Sequence, residues 1–215
     1  SVARRSLRLA YEAGVSASEQ AKARRQLGVY VPEEVVEMAM AKGALGLDGA
    51  RKDVAVLFVD LRDFTSLCDG KEPEEIVVEL NSWLHEVVEV VQEEKGTVDK
   101  YIGDCVMAVF GMVQTEGHEA SRCIRTAARI VARMKRFNAE RMAQGKAPMA
   151  YGIGCHYGPG VVGSMGGSGR LQYTVIGDVV NRASRLEGAT KGSSASVLIS
   201  RTTWERAQME GSAVE

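Results

Sequence analysis

The sequence predicts an α+β domain whose elements follow one another as β-α-β-β-α-β, and three stretches carry this prediction. Residues 54–59 are an unbroken apolar run of strand length, typical of a strand buried on both faces. Residues 73–95 place apolar side chains at helical spacing and begin with a proline in the first-turn position. Residues 98–110 carry strand formers on both sides of Gly103-Asp104, with glycine where a type II′ turn needs it.

The first 50 residues are predicted to be a helical extension in front of this domain. Residues 1–27 are basic and poor in large apolar side chains, so a helix here would need a partner to be stable. A second helix is expected to begin at Pro32 and stop before Gly43. Two interpretations stay open: a solvated helix, or a coupling helix that pairs with its twin and transmits a signal. The chain begins inside a helical pattern, which leaves room for an upstream sensor or membrane domain in a longer protein.

We place the domain at residues 51–215, after a glycine-containing linker at residues 43–52. Its later elements are predicted as a helix over 117–144, strands over 149–157 and 161–165 around a turn at Gly158-Pro159-Gly160, a strand over 171–176, a helix over 177–188, a strand over 197–200 and a helix over 202–208. This order is that of a ferredoxin-like sheet with additions at its end, and the helices are expected on one face.

Composition excludes several classes of protein. The chain has 215 residues with 45% hydrophobic and 26% charged content, as in an ordinary globular domain. A net charge of -1 argues against a general nucleic-acid binder. Four widely spaced cysteines without a C-x-x-C pair indicate reduced core residues. No apolar run approaches the roughly 20 residues that span a bilayer, and no signal-peptide pattern is present. We therefore expect a soluble, cytoplasmic domain.

Carboxylates stand where two predicted strands end. Asp60 closes the first apolar run and Asp104 lies at the hairpin tip, and the predicted topology makes their strands neighbours. Two carboxylates held side by side would repel, so a bound hard divalent cation such as Mg²⁺ is the economical explanation. The backbone N–H groups around Phe64 and Thr65, at the start of a short predicted helix, are free to bind phosphate.

Three further polar residues are candidates for binding or catalysis. Strand alternation places Lys100 among apolar neighbours, where a lysine is costly unless it meets a partner. In an isolated hairpin the simpler interpretation is a lysine that snorkels to solvent. Asn181 and Arg185 stand four residues apart on a predicted helix, so both project from one side. A guanidinium there suits a pentacovalent phosphoryl group.

These candidate residues lie in three motifs that follow one another along the chain. They are FVDLRDFT at residues 58–65, KYIGD at residues 100–104 and YTVIGDVVNRASR at residues 173–185. Together they resemble the catalytic domain of class III nucleotidyl cyclases, specifically bacterial adenylyl cyclases, over roughly residues 29–205. The resemblance implies a nucleotidyl cyclase fold and the conversion of ATP to 3′,5′-cyclic AMP and pyrophosphate.

The resemblance implies roles for the matching positions. Asp60 and Asp104 match the family's two metal aspartates, with the carbonyl of Leu61 as a further ligand of two Mg²⁺ or Mn²⁺ ions. Asp63 stands where relatives often have glycine. Further terminal strands, which supply another basic phosphate ligand in relatives, are expected after Glu215.

The resemblance also implies which residues contact the nucleotide. Lys100 matches the lysine that reads the adenine ring, and Thr174 takes the place of an aspartate that does so in many relatives. A threonine there resembles the subgroup that includes bicarbonate-responsive cyclases. Asn181 matches the residue that orients the ribose, and Arg185 the one that stabilises the transition state.

In this family the active site forms between two catalytic domains, and one chain here carries both sets of residues, so a homodimer with two equivalent sites is expected. Three alternatives stay open. A guanylyl or relaxed-specificity cyclase is disfavoured by the lysine and threonine pair. A nucleotide-binding regulatory dimerisation domain would be expected to lack at least one key residue. A structural α+β domain would leave the polar constellation as coincidence.

Overall fold

The computed structural model of the chain describes residues 49–113, 115–167 and 170–211. The helices predicted in the first 50 residues lie outside this range, as does most of the predicted linker. The described part of that linker already belongs to the first strand, which begins at Ala50 rather than at the predicted Val54.

The element order of the described residues confirms the predicted β-α-β-β-α-β arrangement and its additions. The elements are β1 (Ala50–Leu61), α1 (Phe64–Cys68), α2 (Pro73–Glu93), β2 (Thr97–Ile102), β3 (Cys105–Phe110), α3 (Glu119–Ala143), β4 (Tyr151–Gly167), β5 (Arg170–Ile176), α4 (Asp178–Ala189), a 3₁₀ turn (Thr190–Gly192), β6 (Val197–Ile199) and α5 (Arg201–Met209).

The sheet is built around β1. Its strand order is β2-β3-β1-β4-β5, and β6 pairs in parallel with the first part of β4, beside the region that β5 leaves free. All the other pairings are antiparallel. The residues of the apolar run, 54–59, are buried, as expected for a central strand covered on both faces. The ferredoxin-like fold is therefore confirmed.

The two faces of the sheet carry different helices. Leu57 and its β4 partner Cys155 lie in one core with Trp83 of α2 and Ile130 of α3. Successive residues of a strand point to opposite faces, so Gly154 faces away from this core, and there it lies against α4. A Cβ on Gly154 would come within 2.3 Å of the carbonyl oxygen of Ala183. The prediction that all helices share one face is wrong for α4.

The predicted turn at Gly158-Pro159-Gly160 is also wrong, because β4 runs without interruption from Tyr151 to Gly167. Pro159 pairs with Asp53 of β1 as an ordinary strand position. Close packing requires a glycine at one of these positions, Gly160. A Cβ on Gly160 would lie 2.7 Å from Cγ2 of Val175, too close for real atoms. Tertiary packing thus accounts for a glycine and proline cluster that usually marks a turn.

The β2–β3 hairpin has the predicted turn and one unpredicted irregularity. Gly103 has a φ of 65° while Asp104 keeps a negative φ, as a type II′ turn requires. The register between β2 and β3 shifts between Val98 and Lys100, so Asp99 is the extra residue of a β-bulge. Asp99 is buried and Lys100 is half-buried. The bulge breaks the strict alternation that the sequence predicts for this strand.

Two further observations concern the cysteines and the lengths of the helices. All four cysteines are free thiols, as predicted, but only Cys123 and Cys155 are core residues; Cys68 and Cys105 are partly exposed, so the prediction of a core position is wrong for them. Over the described residues, none of the helices combines the length and the apolar character that crossing a bilayer requires.

A carboxylate from the end of the described chain holds α5 against α3. Glu210, whose side chain is 2% exposed, accepts hydrogen bonds from the backbone N–H of Ser121 at 2.8 Å, its hydroxyl at 2.7 Å and Nε of Arg206 at 3.1 Å. Burial raises the pKa of Glu210, but these hydrogen bonds outweigh burial and leave the pKa below its usual value. A carboxylate thus caps the N-terminus of α3 from another helix.

We expect Glu210→Gln to lower the free energy of unfolding at neutral pH by about 1.5–3 kcal/mol, the usual size of hydrogen bonds to a charged group. Because the pKa of Glu210 is lower in the folded than in the unfolded protein, its stabilisation is complete above the ordinary Glu pKa. The stabilisation is lost as the pH falls through the lowered value. Urea unfolding at a series of pH values measures the difference. The exposed Glu205→Gln on the same helix is the control, and an equal loss there would contradict the assignment.

Candidate active site

The carboxylates of Asp60 and Asp104 meet at one edge of the sheet. Val59 of β1 pairs with Val106 of β3, so the next step along both strands brings Asp60 towards the hairpin tip that carries Asp104. Burial raises the pKa of Asp104, and the negative charge of Asp60 raises it further. The two predicted metal ligands therefore lie close enough to repel each other.

A third carboxylate and two cations surround this pair. Lys191 Nζ lies 3.4 Å from Oδ2 of Asp60. Glu187 of α4 is buried, and burial together with the charge of Asp60 raises its pKa. Arg62 donates to the carbonyl of Tyr151 at 3.1 Å and to the hydroxyl of Thr190. The acidic edge is therefore partly neutralised by the chain itself.

Sequence reasoning missed Glu187, although a signal was present. Val179, Ala183 and Glu187 are spaced four residues apart, so they share one face of α4, and the first two are buried. A carboxylate on the apolar stripe of a helix is costly unless it has a function or a partner. Its Oε1 has no hydrogen-bond partner among the described residues.

The donor set at this edge fits a hard divalent cation. In the described part of the chain, no group of three or more His, Cys, Asp and Glu side chains could hold a metal ion by itself. Asp60 and Asp104, with the carbonyl of Leu61, would supply only part of a coordination shell. Mg²⁺ and Mn²⁺ suit such a site, because they take oxygen ligands and Mg²⁺ keeps waters or substrate phosphates in its shell.

The chain turns sharply between β1 and α1, next to this edge. Asp63 adopts a left-handed conformation with φ of 55° and ψ of 33° before the first residue of α1. This conformation favours glycine, which gives a physical reason for glycine at this position in the family that the motifs resemble. Phe64 and Thr65 form the first turn of α1, and the N–H groups of a first helical turn have no intrahelical partner. Their role in phosphate binding stays a prediction.

Lys100 and Thr174 are brought together by a residue that sequence reasoning missed. Lys100 Nζ lies 3.2 Å from Oδ2 of Asp99, and Thr174 Oγ1 donates to the same oxygen at 2.9 Å. Burial raises the pKa of Asp99, while the hydrogen bond from Thr174 and the charge of Lys100 lower it less. Strict strand alternation would place the side chains of Asp99 and Lys100 on opposite faces of β2. The bulge brings them together, and the neighbouring sequence contains no clear pattern that predicts it.

Asn181 and Arg185 both lie on α4, one helical turn apart, and both are exposed. Arg185 faces a cavity of about 400 Å³ whose lining is rich in cations. The lining residues are His156, Arg182, Arg185, Leu186, Ser200, Arg201 and Thr202. Burial and the charge of Arg182 lower the pKa of His156, whose Nδ1 lies 2.7 Å from the hydroxyl of Ser200. The positive charge near Arg185 therefore comes from arginine side chains rather than from His156.

The single chain thus presents two groups of candidate residues. One is the acidic edge around Asp60 and Asp104, and the other is the cluster of Lys100 and Thr174. Over the described residues, no hydrogen bond or ion pair joins the two groups. Arg185 lies on α4 and lines the cavity of about 400 Å³.

Comparison with known proteins gives a consistent result. Residues 49–215 match the family described as the adenylate and guanylate cyclase catalytic domain. Adenylate cyclase 1 of Rhizobium meliloti is 38% identical over 173 residues, which are 80% of this chain and 26% of that protein. The chain therefore spans about a quarter of the length of this relative.

Solved structures of similar fold include cyclases of both base specificities. The crystal structure of the adenylyl cyclase CyaB from P. aeruginosa has a TM-score of 0.70 and 36% identity, covering 76% of this chain and 84% of that chain. The guanylyl cyclase Cya2 has a TM-score of 0.68 and 32% identity, covering 74% of this chain and 80% of that chain.

We expect Mn²⁺ to raise the melting temperature of the wild-type protein, because a cation relieves the repulsion between Asp60 and Asp104. At a metal concentration ten times the dissociation constant, the gain in unfolding free energy is about 1.4 kcal/mol. Asp104→Asn should abolish the metal-dependent shift. Asp69→Asn, which removes an exposed carboxylate outside the site, should keep it. Equal shifts in all three proteins would show that these carboxylates hold no metal.

Proposed function

Because this chain belongs to the adenylate and guanylate cyclase catalytic domain family, we propose that it converts ATP to 3′,5′-cyclic AMP and pyrophosphate. The proposal concerns the catalytic domain, which is the part that the relatives share with this chain. A reaction that consumes ATP and a set of four free thiols both support a cytoplasmic location.

The observation that carries the proposal is that Lys100 and Thr174 share one partner, Asp99, in a chain that also holds the pair Asp60 and Asp104. A lysine offers only donors, and adenine offers an acceptor at ring nitrogen N1. Guanine carries a proton at that nitrogen, so an ammonium group there disfavours GTP. The lysine therefore supports ATP over GTP.

Each residue is assigned one task in an in-line displacement. The ribose 3′-oxygen attacks the α-phosphorus while the bond to the pyrophosphate oxygen breaks, and the 3′-hydroxyl loses its proton. Asn181 orients the ribose, and the guanidinium of Arg185 stabilises the charge on the pentacovalent phosphorus. The N–H groups of Phe64 and Thr65 bind phosphate oxygens.

Cyclase domains of this family use divalent metal ions. We assign two ions, Mg²⁺ or Mn²⁺, to Asp60, Asp104 and the carbonyl of Leu61. Ions bound there would neutralise phosphate charge and make the attacking hydroxyl more acidic. The repulsion between the two carboxylates and the half-buried position of Asp104 support this assignment.

A homodimer would join the two groups of residues. The acidic edge of one protomer would meet Lys100, Thr174, Asn181 and Arg185 of its partner, giving two equivalent sites. Apolar side chains flank Lys100 and Thr174, the proposed base-reading pair, and support this arrangement. Tyr101, Ile102 and Leu171 are each more than half exposed on β2 and β5. Exposed apolar side chains grouped in this way are typical of interaction surfaces.

Purified protein supplied with ATP or GTP, and with Mg²⁺ or Mn²⁺, should form cyclic AMP in preference to cyclic GMP. Asp104→Ala should lower kcat by about 100-fold or more, the size expected when a group that stabilises the transition state is lost. Chromatographic separation of the products measures both activities. Cyclic GMP as the main product would establish the guanylyl alternative. No product from a folded dimer that binds ATP would establish the regulatory alternative.

Mixing two inactive variants should restore activity if the site is shared between protomers. Asp60→Ala and Arg185→Ala damage opposite halves of each site. In equal mixture, half of the dimers are mixed and each has one intact site, so about a quarter of the wild-type activity should return. Refolding the variants together, with each refolded alone as control, provides the measurement. A mixture that stays inactive while forming mixed dimers would contradict the shared site.

A further inference from the structure

A buried carboxylate lies directly behind the two base-reading residues. The side chain of Asp99 is 0% exposed, and Asp99 is the extra residue of the bulge between Val98 and Lys100. Bulges re-aim side chains and are frequent next to active sites. Gln172 of β5 donates from Nε2 to the carbonyl oxygen of Asp99 at 3.5 Å. The bulge therefore turns the carboxylate of β2 towards β5, where Thr174 lies.

Only half of this carboxylate is engaged. Oδ2 accepts a hydrogen bond from the hydroxyl of Thr174 at 2.9 Å and forms an ion pair with the ammonium of Lys100 at 3.2 Å. Oδ1 is buried and has no hydrogen-bond partner among the described residues. A buried oxygen without a partner costs free energy of folding. Asp99 is thus poorly explained as a stabilising residue, and its position points to the base-reading pair.

The hydrogen bond to Asp99 determines what Thr174 can offer a ligand. A hydroxyl has one proton to donate and two lone pairs to accept with, whereas an ionised carboxylate only accepts. Burial raises the pKa of Asp99, and the ammonium of Lys100 beside Oδ2 opposes this shift and favours the ionised form. The proton of Thr174 is therefore committed to Asp99. Towards the nucleotide, the oxygen of Thr174 acts as an acceptor.

An acceptor at this position distinguishes the two purines. Position 6 of adenine carries an amino group, which donates, and position 6 of guanine or hypoxanthine carries a carbonyl oxygen, which accepts. We propose that Asp99 is a specificity-determining residue, which holds the hydroxyl of Thr174 as an acceptor and so makes the site select a 6-aminopurine over a 6-oxopurine nucleotide. This inference rests on the proposed function, because it assumes that Lys100 and Thr174 contact the base.

The test compares ATP with ITP, which differ at position 6 without the 2-amino group of GTP. Equilibrium binding of the 3′-deoxy forms, which cannot cyclise, measures base preference independently of turnover. Asp99→Leu and Asp99→Ala remove the acceptor, so the hydroxyl of Thr174 becomes free to donate. We expect the preference for 3′-deoxy-ATP over 3′-deoxy-ITP to fall about tenfold or more in either variant, the size of one buried hydrogen bond.

Two further variants separate this role from a structural one. Asp99→Asn keeps an oxygen that accepts the proton of Thr174, so it should retain most of the preference. In a Thr174→Val background there is no hydroxyl to orient, so adding Asp99→Ala should change the preference no further. Asp69→Leu, at an exposed loop position, is the control for the loss of a carboxylate. Melting temperatures of all the variants show which of them are folded.

The outcomes for the two proposals are distinct. An unchanged preference in folded Asp99→Ala, or equal effects of that substitution with and without Thr174, would overturn the role of Asp99. A wild-type protein that binds both nucleotides equally would overturn it as well. Cyclic AMP formation is measured in the same preparations. Its absence from wild-type protein that still prefers 3′-deoxy-ATP would overturn the proposed function and leave the role of Asp99 standing.

Discussion

Repulsion between the carboxylates of Asp60 and Asp104 is the main physical constraint at the acidic edge of this domain. The pairing of β1 with β3, which runs to Val59 and Val106, brings both carboxylates to one edge of the sheet. The buried apolar run of β1 supplies the stability that holds them there. Lys191 partly neutralises Asp60, yet it is exposed and can move aside for a stronger cation.

The position of α4 depends on the absence of side chains from β4. A Cβ on Gly152 would lie 2.3 Å from the hydroxyl oxygen of Thr190, and one on Gly154 would lie 2.2 Å from the backbone nitrogen of Glu187. Backbone therefore packs against backbone, which leaves α4 little freedom to shift. Asn181 and Arg185 are displayed from this fixed helix. A rigid support suits residues that must match the geometry of a transition state.

Local signals predicted the elements whose structure is local. The α2 helix and the β2–β3 hairpin have their capping proline, apolar periodicity and turn glycine within a few residues of one another. The turn predicted at Gly158-Pro159-Gly160 was wrong, because Gly160 packs closely against β5 and α4, which are distant from it in the sequence. The same reason explains the missed residues. No pattern near Asp99 in the sequence predicts the bulge, or the hydrogen bond between Asp99 and Thr174, which lies 75 positions away. Glu187 was recognisable only as a carboxylate on an apolar stripe.

The candidate residues of one chain form two separate groups, the acidic edge around Asp60 and Asp104 and the cluster of Lys100 and Thr174. We propose that two copies of the chain bring these groups together around one nucleotide. A crystal structure of the protein with 3′-deoxy-ATP and Mn²⁺ tests this claim most directly. If the site is shared, metal ions will lie on Asp60 and Asp104 of one protomer, and the adenine ring will lie against Lys100 and Thr174 of its partner. A nucleotide whose metal ions and adenine ring contact the same protomer would contradict it.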